Sequence, residues 1–222
     1  MPNSIQLYYI TDRNAFPGDE TARRRALLDK IAEACDAGID YIQLREKDLT
    51  TGDLETLARE AVRIVRRAPQ PIRLLINSRT DVALAVEADG VHLRSEDIPP
   101  HDVAAIQSLA DDMGNRINES FLTAVSCHSV VDVQKAEQEG ATFAVLAAIF
   151  GKQASPTAQQ LGLDVLKTAC QGKLPVFALG GITLENAQTC LDAGASGIAA
   201  IRLFQNNNIS GVIRQLRLVT HG

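Results

Sequence analysis

Arg45 and Lys47 lie two residues apart in the run Gln43-Leu44-Arg45-Glu46-Lys47-Asp48. In an extended segment, alternation sends Gln43, Arg45 and Lys47 to one side and Leu44 and Glu46 to the other. Two converging cations suit a phosphate or pyrophosphate. A salt bridge to Glu46 or Asp48 is the competing reading, and spacing alone leaves both open. A second anion-binding pattern is Leu179-Gly180-Gly181-Ile182-Thr183, where paired glycines let backbone N–H groups approach a ligand closely. A tight turn into a helix is the plainer reading of the same residues. His128 is the best general acid–base candidate, because imidazole gives and takes protons near neutral pH. Ser126 precedes it by two residues, and Asn77 and Asp97 supply an amide and a carboxylate elsewhere. His92 sits inside an apolar run and reads as a core histidine, while His101 and His221 read as surface positions.

These residues need elements that bring them together. Eight short apolar runs punctuate the chain: Leu7–Thr11, Tyr41–Arg45, Leu74–Asn77, Gly90–Leu93, Leu122–Cys127, Phe143–Phe150, Pro175–Gly180 and Gly197–Phe204. Stretches with helical spacing separate them. That rhythm predicts one closed (β/α)₈ TIM barrel, whose chemistry lies where the strands end. Thr11, Arg45, Asn77, His92, Ser126, His128, Gly180, Gly181 and Arg202 then gather at one mouth. The loops after strands seven and eight often build a phosphate site, which adds Ile201 beside Arg202. The first helix carries Leu27, Leu28, Ile31, Ala32 and Cys35 on one face and stops at Gly38. Thr51 is the expected cap of the second, and Thr183 the expected start of the seventh. The segment 111–120 reads as a surface loop and 151–160 as a candidate lid. A doubly wound open sheet is the runner-up, but no glycine-rich phosphate turn follows the first strand.

Composition agrees with such a fold. The 222 residues suit one domain spanning 1–222, slightly short for a barrel of roughly 250 residues. Aromatics make up only 4% against 45% hydrophobic residues, so a mainly aliphatic core is expected. The net charge of −5 and the absence of Trp argue against a nucleic-acid partner. The clusters Arg23-Arg24-Arg25 and Arg63, Arg66, Arg67 read as solvated helix faces. Cys35, Cys127, Cys170 and Cys190 match no zinc or CxxC spacing, which suggests a reducing compartment. No signal pattern and no run of about 18 apolar residues is present, so the expectation is a cytoplasmic protein with no membrane partner.

Several motifs together resemble the thiamine phosphate synthase/TenI superfamily. They are YYITDR at Tyr8–Arg13, QLREKD at Gln43–Asp48, INSRTDVAL at Ile76–Leu84, DGVHL at Asp89–Leu93 with Glu96-Asp97, VSCHS at Val125–Ser129 and ALGGIT at Ala178–Thr183. The resemblance runs from about Leu7 to Phe204. It implies a small phosphorylated thiazole as substrate, held by the glycine loop after strand seven. Two chemistries occur in this family. The synthase joins a hydroxymethylpyrimidine pyrophosphate to the thiazole phosphate with Mg²⁺ on the departing pyrophosphate. The TenI-type tautomerase moves protons on a carboxythiazole phosphate and uses no cofactor. Family members are often homodimers, and no surface patch in the sequence selects a state.

Residue by residue, Gln43, Arg45 and Lys47 match the synthase's pyrophosphate-binding pattern. Asn77, Ser126 and Gly180 match its binding residues, and Asp97 matches its second Mg²⁺ carboxylate. The first metal aspartate falls at Ser78, and a hydroxyl is a poorer ligand for a hard dication. Strand six usually ends in G-P-[IV]-F-x-T-x-T-K, whereas this chain reads Ala147-Ala148-Ile149-Phe150-Gly151-Lys152-Gln153-Ala154-Ser155. Lys152 is the candidate replacement for the missing lysine. Arg202 stands where a serine is usual, and a guanidinium clamps phosphate in bidentate fashion. The Asn77–Leu84 pattern looks more like the tautomerase branch, and His128 matches its acid–base. The metal donors therefore rank a tautomerase slightly ahead of a divergent synthase, with a non-catalytic thiazole-phosphate binder as a third reading.

Overall fold

The computed structural model describes residues 5–112, 120–151 and 160–219. Eight parallel strands close on themselves in sequence order. They are β1 Gln6–Ile10, β2 Tyr41–Leu44, β3 Arg73–Asn77, β4 Gly90–Leu93, β5 Leu122–Cys127, β6 Phe143–Ala147, β7 Val176–Leu179 and β8 Gly197–Ala200. Closure is made by β1 on β8, in register from Gln6 opposite Gly197 to Tyr9 opposite Ala200. Between strands run α1 Glu20–Asp36, α2 Thr51–Val65, α3 Thr80–Ala85, α4 Pro100–Asp112, α5 Val130–Gln138, α6 Gly162–Ala169 and α7 Ala187–Asp192. After β8 come α8 Arg202–Gln205 and α9 Ile209–Val219. This is the (β/α)₈ barrel that the spacing predicts.

The strands read as continuous apolar runs because both faces are buried. Outward residues such as Leu7, Tyr9, Ile42, Leu44, Leu74 and Ile76 pack under the helices in a largely aliphatic layer. The inward set is different. Tyr8, Tyr41, Phe143 and Phe177, four of the nine aromatic residues, pack together inside the barrel, with the Phe143 and Phe177 rings 4.8 Å apart. The expected aliphatic core is thus found mainly outside the barrel wall, while four of the aromatics fill the lumen. They occupy its lower part, so any cavity must begin above them.

The N-terminal end of the barrel is tied by Asp89, which is 1% exposed. It accepts the Leu74 N–H at 2.9 Å and guanidinium hydrogen bonds from Arg66 and Arg73. A buried carboxylate needs such partners. Arg66 therefore does not merely solvate a helix face, and Arg24 likewise pairs with Glu20 and Asp53. Next to Asp89, Gly90 lies so close to the Leu122 carbonyl that a side chain would collide with it.

Several boundaries differ from expectation. Thr50, not Thr51, caps α2, accepting the Asp53 N–H. α7 begins at Ala187 and not at Thr183, because the Asn186 side chain holds the preceding turn: it accepts the Thr183 N–H and donates to the Gly181 carbonyl. β8 ends at Ala200, and the chain turns into α8, which carries Gln205 back to β1. Gln205 accepts from the Tyr9 hydroxyl and the Asp12 N–H and donates to the Asp12 carbonyl at 2.6 Å. Among the described residues no helix is long and apolar enough to cross a membrane.

Candidate active site

β2 ends at Leu44, and the residues that follow it still divide as the alternation predicts. Gln43, Arg45 and Lys47 border a cavity at the C-terminal mouth, while Glu46 turns away and is 5% exposed. Glu46 accepts from the Thr11 hydroxyl at 2.6 Å, from the Arg13 N–H at 3.0 Å and from the Arg13 guanidinium. Arg13 also holds Asp48 with two hydrogen bonds of 2.6 and 2.9 Å. Both carboxylates that the sequence offers Arg45 as partners are thus taken by Arg13. Burial raises the Glu46 pKa above its usual value, and its hydrogen bonds to Thr11 and Arg13 only partly oppose that. Hydrogen bonding to Arg13 holds Asp48 well below the ordinary carboxylate range. Thr11, expected at the mouth, is instead completely buried and structural.

The cavity has a volume of about 890 Å³ and lies above Ile10, Val145, Leu179 and Ala199. On one arc stand Gln43, Arg45, Lys47 and Asn77. Ser126 and His128 border it from the end of β5. Gly180, Gly181, Ile201 and Arg202 border it from the ends of β7 and β8. Arg202 is the first residue of α8 and not part of β8, and it is exposed. The Gln43 amide donates to Asn77 Oδ1 at 3.2 Å, which fixes both side chains at the rim.

Gly180 and Gly181 have φ of +100° and +69°. A side chain at Gly181 would run into the Phe150 carbonyl, and one at Gly180 would meet Ala148. The positive φ angles and this crowding make the loop a tight turn, and both glycines border the cavity.

Asp97 sits just behind the rim residues Arg94, Ser95 and Glu96, and does not itself border the cavity. Its oxygens accept the Arg94 N–H and guanidinium, both at 2.8 Å, and the Ser78 hydroxyl. Burial works to raise its pKa, but those hydrogen bonds outweigh it and hold it below the ordinary value. Among the described residues, no three His, Cys, Asp or Glu side chains converge as a metal site. One carboxylate already engaged by a guanidinium does not make a free-standing Mg²⁺ site. It does fit the usual Mg²⁺ pattern of one or two carboxylates plus substrate phosphates.

His128 Nδ1 lies 3.0 Å from the Ala147 carbonyl oxygen. A carbonyl only accepts, so Nδ1 carries a proton, and in the neutral ring it is Nε2 that holds the lone pair, on a residue bordering the cavity. His92 is 2% exposed and bonds Tyr8 and Ser126, as a core histidine should, although it too touches the cavity floor. Burial first, then the nearby Arg45 charge, pushes its pKa down to about 3. His101 is exposed, as expected. Lys152, His221 and most of the proposed lid and of the 111–120 stretch lie outside the described residues.

Sequence reading missed Asp12, Arg94, Ser95 and Glu96 at the cavity and Gln205, which holds the Asp12 backbone. Asp12 follows β1 directly, so its position after a strand was the available signal. Gln205 gave none, because its partners lie almost 200 residues away.

The family model described as thiamine monophosphate synthase matches residues 7–204. The chain is 40% identical over 200 residues to a putative thiamine-phosphate synthase 2 of Aquifex aeolicus, covering 90% of this chain and 97% of that protein. It is 38% identical over 197 residues to a thiamine-phosphate synthase of Roseiflexus sp., covering 88% and 76%. Among solved structures, a thiamine phosphate pyrophosphorylase from Pyrococcus furiosus superposes with a TM-score of 0.79 at 28% identity, covering 98% of this chain and 96% of that one.

Proposed function

The chain belongs to the thiamine monophosphate synthase family, and we propose that it joins a pyrimidine pyrophosphate to a thiazole phosphate with release of pyrophosphate. One observation carries this reading. Two groups suited to anions occupy separate arcs of a single mouth: Gln43, Arg45 and Lys47 on one, and Gly180, Gly181 and Arg202 on the other. Two phosphorylated substrates need two such places, and an isomerase acting on one substrate needs only one. The names of the relatives support the transferase over the isomerase that the metal donors alone would rank first.

In this reaction the C–O bond from the pyrimidine methylene to pyrophosphate breaks, and the thiazole nitrogen lone pair forms the new C–N bond. The pyrophosphate leaves with the electron pair, so negative charge grows on it while the methylene turns cationic. Arg45 and Lys47 are placed to stabilise that growing charge, and Gln43 to orient the leaving group. The Gly180-Gly181 backbone and Arg202 hold the second phosphate, which sets the distance between the reacting atoms. Mg²⁺ arriving on the pyrophosphate would neutralise part of its charge, with Asp97 and Ser78 the residues to hold it. The four cysteines are free thiols, which fits a cytoplasmic protein.

A tautomerase remains the second reading, favoured by the His128 lone pair beside the cavity and by Ser78 in the place of a metal aspartate. Purified protein incubated with both substrates and Mg²⁺ should release pyrophosphate. No release at any Mg²⁺ concentration eliminates the synthase. Proton exchange on a carboxythiazole phosphate alone, lost in His128→Ala with affinity kept, would instead establish the tautomerase. Tight thiazole-phosphate binding without either activity would leave a non-catalytic binder.

A further inference from the structure

Three side chains form a continuous hydrogen-bonded line from the barrel lumen to the cavity. The Tyr8 hydroxyl is 2.9 Å from His92 Nδ1, and His92 Nε2 is 2.8 Å from Ser126 Oγ. Tyr8 is completely buried, and its ring is packed against Tyr41, Phe143 and Phe177. Among the described residues, His92 is the only hydrogen-bond partner of the Tyr8 hydroxyl, and the only one of Ser126 Oγ. Ser126 borders the cavity.

The direction of each bond follows from counting protons. A neutral imidazole has one N–H and one lone pair. If Nδ1 held the proton, the Tyr8 O–H would point into aromatic rings with no acceptor, leaving a buried donor unmade. The satisfied arrangement has Tyr8 donating to Nδ1. Nε2 then carries the proton and donates to Ser126 Oγ. The Ser126 oxygen spends one of its two lone pairs on His92, and its own O–H is left to point into the cavity.

We propose that Tyr8 and His92 are positioning residues that lock Ser126 as a hydrogen-bond donor toward an acceptor atom of the bound ligand, a phosphate or pyrophosphate oxygen. A serine beside a histidine usually suggests a nucleophile whose proton the imidazole takes. Here the order of the three groups gives the opposite polarity, because the nitrogen facing Ser126 has no lone pair. The ligand half of this inference rests on the reading of the cavity as a phosphate site. The tautomer half stands without it.

Ring-nitrogen NMR of the ligand-free protein tests the lock, with His92 expected to carry its proton on Nε2. A proton on Nδ1 overturns it. Tyr8→Phe keeps the ring and removes the donor to Nδ1, so the His92 Nδ1 resonance should lose the shift that accepting a hydrogen bond gives it, and the preference for the Nε2–H form should weaken. An Nδ1 resonance unchanged in that variant also overturns it. Inorganic pyrophosphate and a thiazole phosphate, titrated separately, test the donor. Ser126→Ala should weaken one of them by about tenfold or more, the loss of a hydrogen bond to a charged group, and Ser126→Thr should restore most of it. Tyr8→Phe should weaken the same ligand, and the two changes should be non-additive, since Tyr8 acts only through Ser126. Additive losses, or no loss in Ser126→Ala, would overturn the donor role. Wild-type protein that binds neither ligand would defeat the proposed function together with the ligand half, while the spectrum still judges the lock.

Discussion

The Thr11 hydroxyl donates to Glu46 Oε1 at 2.6 Å, and this buried clasp joins the ends of β1 and β2 directly behind the cationic rim. The same oxygen of Thr11 accepts the Arg45 N–H at 3.0 Å, so it fixes where the Arg45 side chain leaves the backbone. Thr11→Val keeps the shape and removes both bonds. The expected result is a loss of about 1–3 kcal/mol, the cost of leaving buried polar groups unpaired. The midpoint of urea unfolding checks it, and an unchanged midpoint would refute the clasp.

Arg45 makes no side-chain hydrogen bond or ion pair among the described residues, because Arg13 has taken Glu46 and Asp48. Arg45→Gln should therefore leave stability within about 0.5 kcal/mol while weakening inorganic pyrophosphate about tenfold or more. Calorimetric titration at two salt concentrations separates the effects. A variant that loses stability but not affinity would return Arg45 to a structural role.

Gly181 stands at φ +69°, with the Phe150 carbonyl where a side chain would go. Gly181→Ala is expected to cost more than about 1 kcal/mol and to weaken the thiazole phosphate. Thermal unfolding with and without that ligand reads both. A variant with wild-type melting and binding would mean that the loop has room the structure does not show.

The His92 pKa of about 3 gives a signed prediction for pH. In the unfolded chain a histidine takes its proton near pH 6.5. Between those values the unfolded state binds more protons, so stability falls as pH drops from about 6.5 toward 3. This one group contributes on the order of a few kcal/mol across the window. His92→Gln should be less pH-sensitive over that range than wild type, whatever slope the carboxylates add to both. Parallel stability profiles would show that His92 is not buried neutral.

The sequence determined the barrel and most of its mouth. Apolar runs at regular intervals demand strands buried on both faces, and alternation along β2 was enough to put Gln43, Arg45 and Lys47 together with Glu46 opposed. Those are local rules, acting over two to four residues, and they also placed Asn77, Ser126, His128, Gly180 and Gly181 at strand ends. Tertiary structure decided what those residues meet. Only the pairing of β1 with β2 brings Arg13 to Glu46 and Asp48, which leaves Arg45 unneutralised, and buries Thr11 instead of exposing it at the rim. Closure of the barrel stacks Tyr8 beneath His92 and Ser126, 84 residues separating the first pair and 34 the second, and thereby fixes which atom of each holds a proton. A hydrogen bond has a direction only once both partners are in place, and no pattern along the chain specifies partners that far apart.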